Sequence, residues 1–297
     1  MRQRTSGALI ALAGLCLAGL VYAGTGPGPS SRIDLKSARA GLGGLSAVEV
    51  SADGTGLAMM SDRGTFVRGT LRREGGRITA VALGPDIPLT VGRGAHPDDI
   101  DDTEGLAIAA DGTVFVSYEG RPRIVRFSRP DRPGEALTLP PQFAALQQNS
   151  GLEALAIGPD GSLYTLPERS GNVTRPFPLW KRDPNGRWSI VAQIPRHGGY
   201  LPVGSDIGPD GKFYLLERNF TFLGFKSRVR RFDLSAPGDG EVVLETDRLT
   251  HGNLEGLAVW RDASGAIRLV MVSDDNFNAA LRSELVEYIL APDGPSR

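Results

Sequence analysis

Three glutamates, each at the start of an apolar segment, are the residues in this sequence most suggestive of chemistry. Glu104, Glu153 and Glu255 open the segments EGLAI, EALAI and EGLAV. A carboxylate in an apolar strand is costly unless it is paired or solvated. Carboxylates that lie close together raise one another's pKa, and a hard divalent cation such as Ca²⁺ or Mg²⁺ relieves the repulsion. Whether these three acids meet depends on the elements that carry them.

The three glutamates lie in an internal repeat. Each copy contains an apolar strand, a turn of the Asp-Gly type and a second apolar strand, which is a strong hairpin signal. Copies start about 50 residues apart, except that the first gap is nearer 58. The five copies are LSAVEVSADGTGLAMMSDRG (45–64), EGLAIAADGTVFVSYEG (104–120), LEALAIGPDGSLYTLPERSG (152–171), VGSDIGPDGKFYLLERN (203–219) and LEGLAVWRDASGAIRLVMVSDDN (254–276).

The rest of each period is long enough for two further strands. Four antiparallel strands in roughly 45 to 50 residues are typical of a β-propeller blade. After its hairpin the fifth unit has only SELVEYIL (283–290), so we predict that RIDLK (32–36) supplies its fourth strand and closes the ring. We therefore predict an all-β propeller of five four-stranded antiparallel blades, with six as the alternative because a degenerate blade is easily missed. One short helix is expected within residues 141–149.

The first 23 residues have the composition of a secretory signal peptide. Arg2 and Arg4 precede an apolar stretch from Ala8 to Ala23, which is short for a bilayer span. We predict a secreted or periplasmic protein, with an uncleaved membrane anchor as the alternative. The predicted organisation is a signal peptide (1–23), a flexible lead-in (24–31) and a single β-propeller domain (32–297).

Composition and motifs exclude several classes of function. The net charge of −1 provides no overall attraction to nucleic acid, so we expect no nucleic-acid partner. We also expect a monomer with no stable membrane insertion after signal cleavage. Cys16, the only cysteine, lies in the predicted signal peptide, which leaves no cysteine metal site in the mature chain. The sequence has no G-x-S-x-G nucleophile elbow, P-loop or dinucleotide fingerprint.

The repeat predicts a second set of acids near the first. The start of one strand and the end of its antiparallel partner lie at the same edge of a hairpin. Acids at or near the end of the second strand of each repeat are Asp62, Glu119, Glu168, Glu217 and the pair Asp274 and Asp275. We therefore predict one acidic mouth that binds Ca²⁺ or Mg²⁺, with the candidate ligands Glu104, Glu153, Glu255, Asp62, Asp274, Asp275 and Asn276.

Two repeats depart from this pattern. Ser46 and Val203 take the place of the glutamate there, and an acid follows three residues later, at Glu49 and Asp206. The acids have an alternative explanation, in which they pair with backbone amides of neighbouring blades or with arginines and only stabilise the ring. The arginines that follow strand-end acids within one or two residues are Arg63, Arg121, Arg169 and Arg218.

Other features near the predicted mouth are less specific. His96, His197 and His251 each precede an inner strand, and His251 is the histidine we select as a candidate general base. The alternative for each is an exposed loop histidine. The aromatic segment NFTFLGF (219–225) follows a strand-end acid, and we interpret it either as blade packing or as the rim of a ligand cleft.

Taken together, the motifs resemble the bacterial phytase-like domain family, also described as esterase-like activity of phytase. The resemblance spans essentially the whole mature chain. It rests on GGLSAVEV (43–50), SDRG (61–64), EGLAI (104–108), LEALAIGPDG (152–161), LER (216–218) and LEGLAV with SDDNF (254–277). It implies a secreted or periplasmic β-propeller with hydrolytic or esterase-like activity. The SDDNF segment implies Asp274, Asp275 and Asn276 as site residues.

Two functions follow from these observations. In the first, a cation held in the mouth polarises a small-molecule phosphate or carboxylic ester and activates water for attack. The candidate catalytic residues are Glu104, Glu153, Glu255 and His251. In the second, the propeller binds a ligand or an envelope partner at its mouth without chemistry. This alternative rests on the observation that the sequence shows no recognisable catalytic nucleophile with a general base beside it.

Overall fold

The computed structural model describes residues 28–39, 41–92, 102–119, 121–146, 151–278 and 280–290. Nearly all regular structure in these ranges is β-strand. The strands, numbered in chain order, are β1 (Ser31–Asp34), β2 (Leu45–Val50), β3 (Gly56–Ser61), β4 (Thr65–Glu74), β5 (Arg77–Pro88), β6 (Thr103–Ile108), β7 (Val114–Tyr118), β8 (Arg123–Phe127), β9 (Glu135–Ala136), β10 (Leu152–Ile157), β11 (Leu163–Pro167), β12 (Phe177–Arg182), β13 (Trp188–Ile194), β14 (Leu201–Ile207), β15 (Phe213–Thr221), β16 (Gly224–Phe232), β17 (Glu241–Glu245), β18 (Asn253–Arg261), β19 (Ile267–Asp274) and β20 (Glu284–Ile289).

Within these ranges the strands form five four-stranded antiparallel sheets, which are the blades of a propeller. Blade 1 contains β2–β5, blade 2 β6–β9, blade 3 β10–β13 and blade 4 β14–β17. Blade 5 has the order β18, β19, β20 and β1. The predicted all-β propeller is therefore confirmed with five blades. The outer strands of blade 2, β8 and β9, are short and were not located from the sequence.

The N-terminal strand closes the ring, as the sequence predicts. β1 pairs antiparallel with β20, with Ser31 opposite Glu287 and Asp34 opposite Glu284. A short helix, α1 (Leu35–Ala38), follows directly. The helix expected within 141–149 is a 3-10 helix at Pro141–Ala145, and residues 147–150 lie outside the described ranges. Among the described residues, no helix is long and apolar enough to cross a bilayer.

Five apolar clusters hold neighbouring blades together, one at each interface of the ring. Val48 of blade 1, for example, packs in one cluster with Ala258 and Trp260 of blade 5. The inner strands approach one another closely because small residues face the crowded axis. A Cβ atom at Gly204 would lie 2.2 Å from the carbonyl oxygen of Glu255, and one at Gly256 would lie 2.8 Å from the Cα atom of Ala47. Larger residues at these two positions would therefore push the inner strands apart.

Every inner strand carries a β-bulge near its first residues. The pairing register shifts between Leu45 and Ala47 in blade 1 and between Leu152 and Ala154 in blade 3. Equivalent shifts occur in blades 2, 4 and 5. A bulge leaves one residue unpaired and re-aims its side chain. The register that the sequence assigns to Ser46, Glu104, Glu153, Val203 and Glu255 coincides with these bulges.

A buried ion-pair cluster joins the closing strand to blade 1. The Glu287 carboxylate of β20 is fully buried and accepts hydrogen bonds from Arg73 at 2.8 and 2.9 Å. Arg268 of β19 donates a further hydrogen bond to it at 2.9 Å, and the indole N–H of Trp260 donates one at 3.3 Å. Since Arg73 belongs to β4, this carboxylate links the last blade to the first.

Replacing Glu287 with glutamine should lower the free energy of unfolding by about 3–5 kcal/mol, because the half-buried Arg73 and the buried Arg268 lose the carboxylate that they share. Urea denaturation followed by circular dichroism measures this loss. Asp131→Asn is the matched control, since Asp131 pairs with Arg129 at 2.8 Å on the surface. It should change the free energy of unfolding by no more than about 0.5 kcal/mol. Equal effects of the two substitutions would contradict the assigned role of Glu287.

Candidate functional site

The inner strands start around one cavity of about 310 Å³, which we call the acidic mouth. Carboxylates dominate its lining, as the sequence predicts. The lining residues are Asp62, Asp102, Glu104, Glu119, Glu153, Glu168, Arg169, Arg218, Asn253, Glu255, Asp274 and Asn276. Of the seven metal ligands predicted from sequence, the mouth brings together six, and Asp275 is the exception.

Glu153 reaches the mouth because of the bulge in β10. Leu152 pairs with Pro167 and Ala154 with Leu166, so Glu153 has no partner in β11. An unpaired residue at a bulge can turn its side chain out of the sheet plane. The apolar residues after it remain available for packing between blades, and the carboxylate enters the mouth. Glu255 occupies the same bulge position in blade 5.

The acids form two tight groups that share one residue. Carboxylate oxygens of Glu119, Glu153 and Glu168 lie within 4.8 Å of one another, and so do those of Asp102, Glu104 and Glu119. Glu119 belongs to both groups and therefore has carboxylate neighbours on two sides. Carboxylates this close repel one another unless one of them is protonated or a cation lies between them. This side of the mouth therefore either holds protons or needs a cation.

Arg218 supplies positive charge on the other side of the mouth. Its guanidinium donates to Glu168 Oε1 at 3.1 Å, to Asn253 Oδ1 at 2.8 Å and to Glu255 Oε1. Blade 4 is one of the two blades without an acid at the bulge, where it has Val203 instead. Arg218 thus fixes Glu168 and Glu255 in place and leaves Glu104, Glu119 and Glu153 as the less compensated group.

Burial and mutual repulsion perturb these carboxyl groups. Burial raises the pKa of both Glu119 and Glu255 to about 7, and the negative charge of Asp102 adds to the shift at Glu119. Burial first and the Glu168 charge second hold the pKa of Glu153 well above its usual range. For Glu104 burial is again the largest cause of a raised pKa, followed by the Glu153 charge. Protons are therefore held and exchanged in the mouth near neutral pH.

The Asp62 carboxylate is incompletely satisfied. Its Oδ1 atom is buried and has no hydrogen-bond partner among the residues that the structure describes. Burial, followed by the charge of Asp274, raises its pKa to about 6. Left-handed backbone occurs close by, with φ of 74° at Asp102 and 49° at Asn276. Strain of this kind at non-glycine residues is concentrated at functional sites.

The SDDNF segment divides its residues between two roles. Asp274 and Asn276 line the mouth, and Asp274 Oδ1 accepts the backbone N–H of Asn276 at 2.6 Å. Asp275 is outside the lining and accepts the N–H groups of Gly44 at 2.9 Å and Phe277 at 3.0 Å. Lys36 lies 3.0 Å from its other oxygen. Asp275 therefore shapes the loops at the mouth, while Asp274 faces the cavity.

The prediction that Glu217 belongs to the mouth is wrong. Its carboxylate is fully buried and accepts hydrogen bonds from Nε of Arg228 and of Arg230, both at 2.7 Å. Arg230 also reaches the carbonyl of Pro195 in the segment after blade 3. Consecutive strand residues face opposite sides, so Arg218, the next residue, is the one that points to the mouth.

The structure does not bring His251 to the mouth. Its ring is buried, with Nδ1 3.1 Å from Glu284 Oε1 and Nε2 2.6 Å from the Tyr288 hydroxyl. His197 is at the surface, 3.6 Å from Asp239, and His96 lies outside the described residues. Among the described lining residues there is no histidine, serine, threonine or cysteine.

The arginines predicted to neutralise the acids do so only in part. Arg218 pairs with two mouth acids, and Arg169 contacts Glu168 at 3.1 Å. Arg63 is exposed and stacks on the Phe277 ring at 3.5 Å. Neither predicted explanation of the acids is therefore complete. Glu168 and Glu255 have arginine partners, whereas the two groups around Glu119 have the arrangement expected of a cation site.

The other two inner-strand acids lie toward the opposite end of the ring and have a structural role. Asp206 of blade 4 accepts the backbone N–H of Val259 in blade 5 at 2.6 Å, and so bonds one blade to the next. Burial raises the pKa of Asp206 to about 7, and burial together with the Asp206 charge holds the pKa of Glu49 well above its usual range.

Comparison with known sequences identifies one family. The profile described as "Phytase-like: Esterase-like activity of phytase" matches residues 40–277, which include all of the mouth residues named above. No curated protein sequence matches the chain significantly.

Solved structures with a similar fold are distant in sequence. Regucalcin from Agrobacterium tumefaciens, a calcium-binding protein, has 11% identity over 83% of this chain and 90% of its own, with a TM-score of 0.49. Aldose sugar dehydrogenase from Streptomyces coelicolor has 14% identity over 89% of this chain and 99% of its own, with a TM-score of 0.47. A luciferin-regenerating enzyme has 10% identity over 88% of this chain and 95% of its own, with a TM-score of 0.48. Likenesses this weak carry no information about activity.

Asp206→Asn should stabilise the protein more at about pH 8 than at about pH 5. The folded-state pKa of Asp206, about 7, lies above the value near 4 of an unfolded chain, so its stabilising contribution is complete below about pH 4 and is lost as pH rises through 7. Asparagine is neutral throughout and keeps an oxygen for the Val259 N–H. The free energy of unfolding from urea titrations should show a gain of roughly 2 kcal/mol at the higher pH relative to the lower.

Asp131→Asn is the control for this comparison, because Asp131 is exposed and its partner Arg129 stays charged at both pH values, so the effect should be small and the same at each pH. An Asp206→Asn effect that is independent of pH would contradict the proton uptake assigned to Asp206.

Proposed function

The chain belongs to the phytase-like family, described as esterase-like activity of phytase, and from this premise we propose that its acidic mouth is the site of a cation-dependent ester hydrolase. The substrates we propose are small phosphoric or carboxylic esters. The observation that carries the proposal is the pair of three-carboxylate groups that meet at Glu119. Eight carboxylates and two arginines line this small cavity, which is a poor environment for a neutral ligand alone.

The residues of the mouth fit a hard divalent cation. The carboxylate and amide side chains of the lining all offer oxygen atoms, which are the ligands that Ca²⁺ and Mg²⁺ prefer. The buried, unpartnered Oδ1 of Asp62 is one ligand atom without a present role. Glu119, Glu153, Glu104 and Asp102 would hold the cation, with Asp62, Asp274 and Asn276 on the blade 1 and blade 5 side. When bound, such an ion polarises a phosphoryl or carbonyl oxygen and acidifies water.

The chain's own residues supply proton transfer and positioning. A carboxylate with a pKa of about 7, as at Glu119 and Glu255, can accept a proton from water and return it to a leaving group near neutral pH. Arg218 holds Glu255 and Glu168 by hydrogen bonds, which keeps their oxygens aimed at the cavity. His251 takes no part in the proposal because both ring nitrogens are engaged in a buried cluster.

Export is part of the proposal. The predicted signal peptide at residues 1–23 supports a periplasmic or secreted location, where millimolar Ca²⁺ is a common condition. We also propose that the protein acts as a monomer, since hydrolysis of a small-molecule ester needs no partner chain.

A binding module without chemistry is the second candidate. The observation in its favour is that no hydroxyl, thiol or imidazole group occurs among the described residues of the mouth. Such a lining offers no nucleophile other than its carboxylates and water. A cation and an anionic ligand would then be bound but not turned over.

Hydrolysis of p-nitrophenyl phosphate and p-nitrophenyl acetate, with Ca²⁺ or Mg²⁺ and with a chelator, tests the proposal. We expect cation-dependent turnover of at least one ester and a rise of several degrees in melting temperature with the cation. Glu153→Gln should lower kcat by roughly 100-fold, because it removes one charge from the least compensated group. Glu135→Gln, an exposed position on β9, is the matched control and should retain full activity.

The outcomes separate the two candidates. A melting-temperature rise without turnover of either ester would favour the binding module. Neither turnover nor a thermal shift with either cation would contradict both the cation site and the hydrolase. Full activity in Glu153→Gln would show that the mouth is not where hydrolysis takes place.

A further inference from the structure

The hairpin of blade 4 extends farther past the mouth than its counterparts. β15 and β16 have nine residues each, whereas the corresponding second strands of blades 2 and 3, β7 and β11, have five. Glu217 occupies the place of the strand-end acids, and four further residues lead to the last pair, Thr221 and Gly224. The hairpin tip therefore stands roughly 13 Å beyond the level of Glu217.

Two large apolar residues form the turn at this tip. Hairpin turns of two residues are usually made by glycine, asparagine or aspartate, but this one is Phe222 and Leu223. Phe222 is 94% exposed, Leu223 55% and the neighbouring Phe220 65%. Phe222 is the most exposed large hydrophobic residue of the described chain. Nothing in blade packing requires these side chains at the turn.

A neighbouring loop extends the apolar surface and makes it rigid. Leu249, 69% exposed, donates its backbone N–H to the Phe225 carbonyl at 3.2 Å. Its side chain lies against Gly224, where an added Cβ would approach Leu249 Cδ2 to 2.6 Å. Phe220 and Phe225 stack across the hairpin with ring centroids 4.8 Å apart. The tip is thus a convex and continuous apolar surface on a paired two-stranded support.

Two arginines lie at the base of the tip. Arg248 donates to the Gly224 carbonyl at 3.1 Å and to Asn219 Oδ1 at 2.8 Å. Arg282 is exposed and donates to the Thr250 carbonyl at 3.0 Å, next to Leu249. Both guanidinium groups thus bond to neutral oxygens, with Asp247 as the acid on the same loop. Lys226 differs, since it forms an ion pair with Glu245 at 2.7 Å.

We propose that this tip docks on the surface of a phospholipid bilayer. The apolar side chains would enter the boundary of the acyl chains, while Arg248 and Arg282 would face the phosphate groups. A projecting convex tip needs a concave partner among folded proteins but none in a fluid bilayer. Docking of this kind is peripheral and involves no membrane span. It is independent of the proposed hydrolase, although the acidic mouth opens on the same side of the ring.

A label placed at the tip gives a position-specific test. In the mature chain that begins at residue 24, which contains no cysteine, Phe222→Cys is labelled with the environment-sensitive fluorophore NBD. Vesicles of phosphatidylcholine with phosphatidylglycerol should raise its emission several-fold and shift it to the blue, and brominated lipids should quench it. The same label at Ile190→Cys, on the outer strand β13, is the control and should not respond. An unresponsive tip label, or an equal response at both positions, would overturn the proposal.

Partitioning of variants provides a second test. Phe222→Ser with Leu223→Ser should weaken vesicle co-sedimentation at least tenfold, since two apolar side chains are lost from the contact. Ile190→Ser with Val242→Ser removes two exposed apolar residues elsewhere and should partition like the wild type. Unchanged melting temperatures show that both variants are folded. Equal partitioning of the tip variant and the wild type would overturn the docking role.

Discussion

Five inner strands begin around one axis, and three of them bring a glutamate into the same small cavity. This crowding determines the chemistry of the ring. A bulge at the start of each inner strand separates the residue that faces the axis from those that pack between blades. Where that residue is a glutamate, as at Glu104, Glu153 and Glu255, water screens its negative charge only weakly. The negative charge of the mouth must therefore be compensated by bound protons, by Arg218 or by a cation.

The buried carboxylates of the protein differ in how far their negative charge is compensated. Glu217 and Glu287 are each held by two arginines, so their charge is compensated. Glu287 links the last blade to the first, whereas Glu217 fixes β15 to β16 within blade 4. Glu119 and Glu153 lie beside each other in a cavity open to ligands. The contrast in compensation, rather than the number of acids, distinguishes the candidate site from the structural clusters.

Much of the fold could be predicted because the same hairpin pattern occurs five times in the sequence. The hairpin signals located the inner strands, and the incomplete fifth unit predicted the closing strand β1. Blade 2 lacks strong outer strands, and only the pairing in the structure reveals β8 and β9. The repeat showed that Glu153 occupies the same position as Glu104 and Glu255, but it did not predict the β-bulge that turns the Glu153 side chain into the mouth.

The errors at the site arise from the two-residue period of a strand. Glu217 and Arg218 are adjacent, and a shift of one residue exchanges the buried interface for the mouth. The sequence contains no signal that shows which of the two side chains points into the mouth and which points into the blade. His251 precedes an inner strand closely, yet its ring points to Glu284 and Tyr288 in the sheet of blade 5, a tertiary contact that spacing along the chain cannot reveal.

Ring closure by β1 also bears on how the chain folds. The Ser30 hydroxyl bonds to the carbonyl of Glu287, 257 positions later. Blades 1 to 4 each consist of consecutive strands, whereas blade 5 combines β18, β19 and β20 with β1 from the other end of the ring. Until β20 is in place, β1 has no strand to pair with and Arg73 lacks the Glu287 carboxylate. The first and last segments of the propeller must therefore fold together, and the seam between blades 5 and 1 is the part of the ring that a cut on either side of it would open.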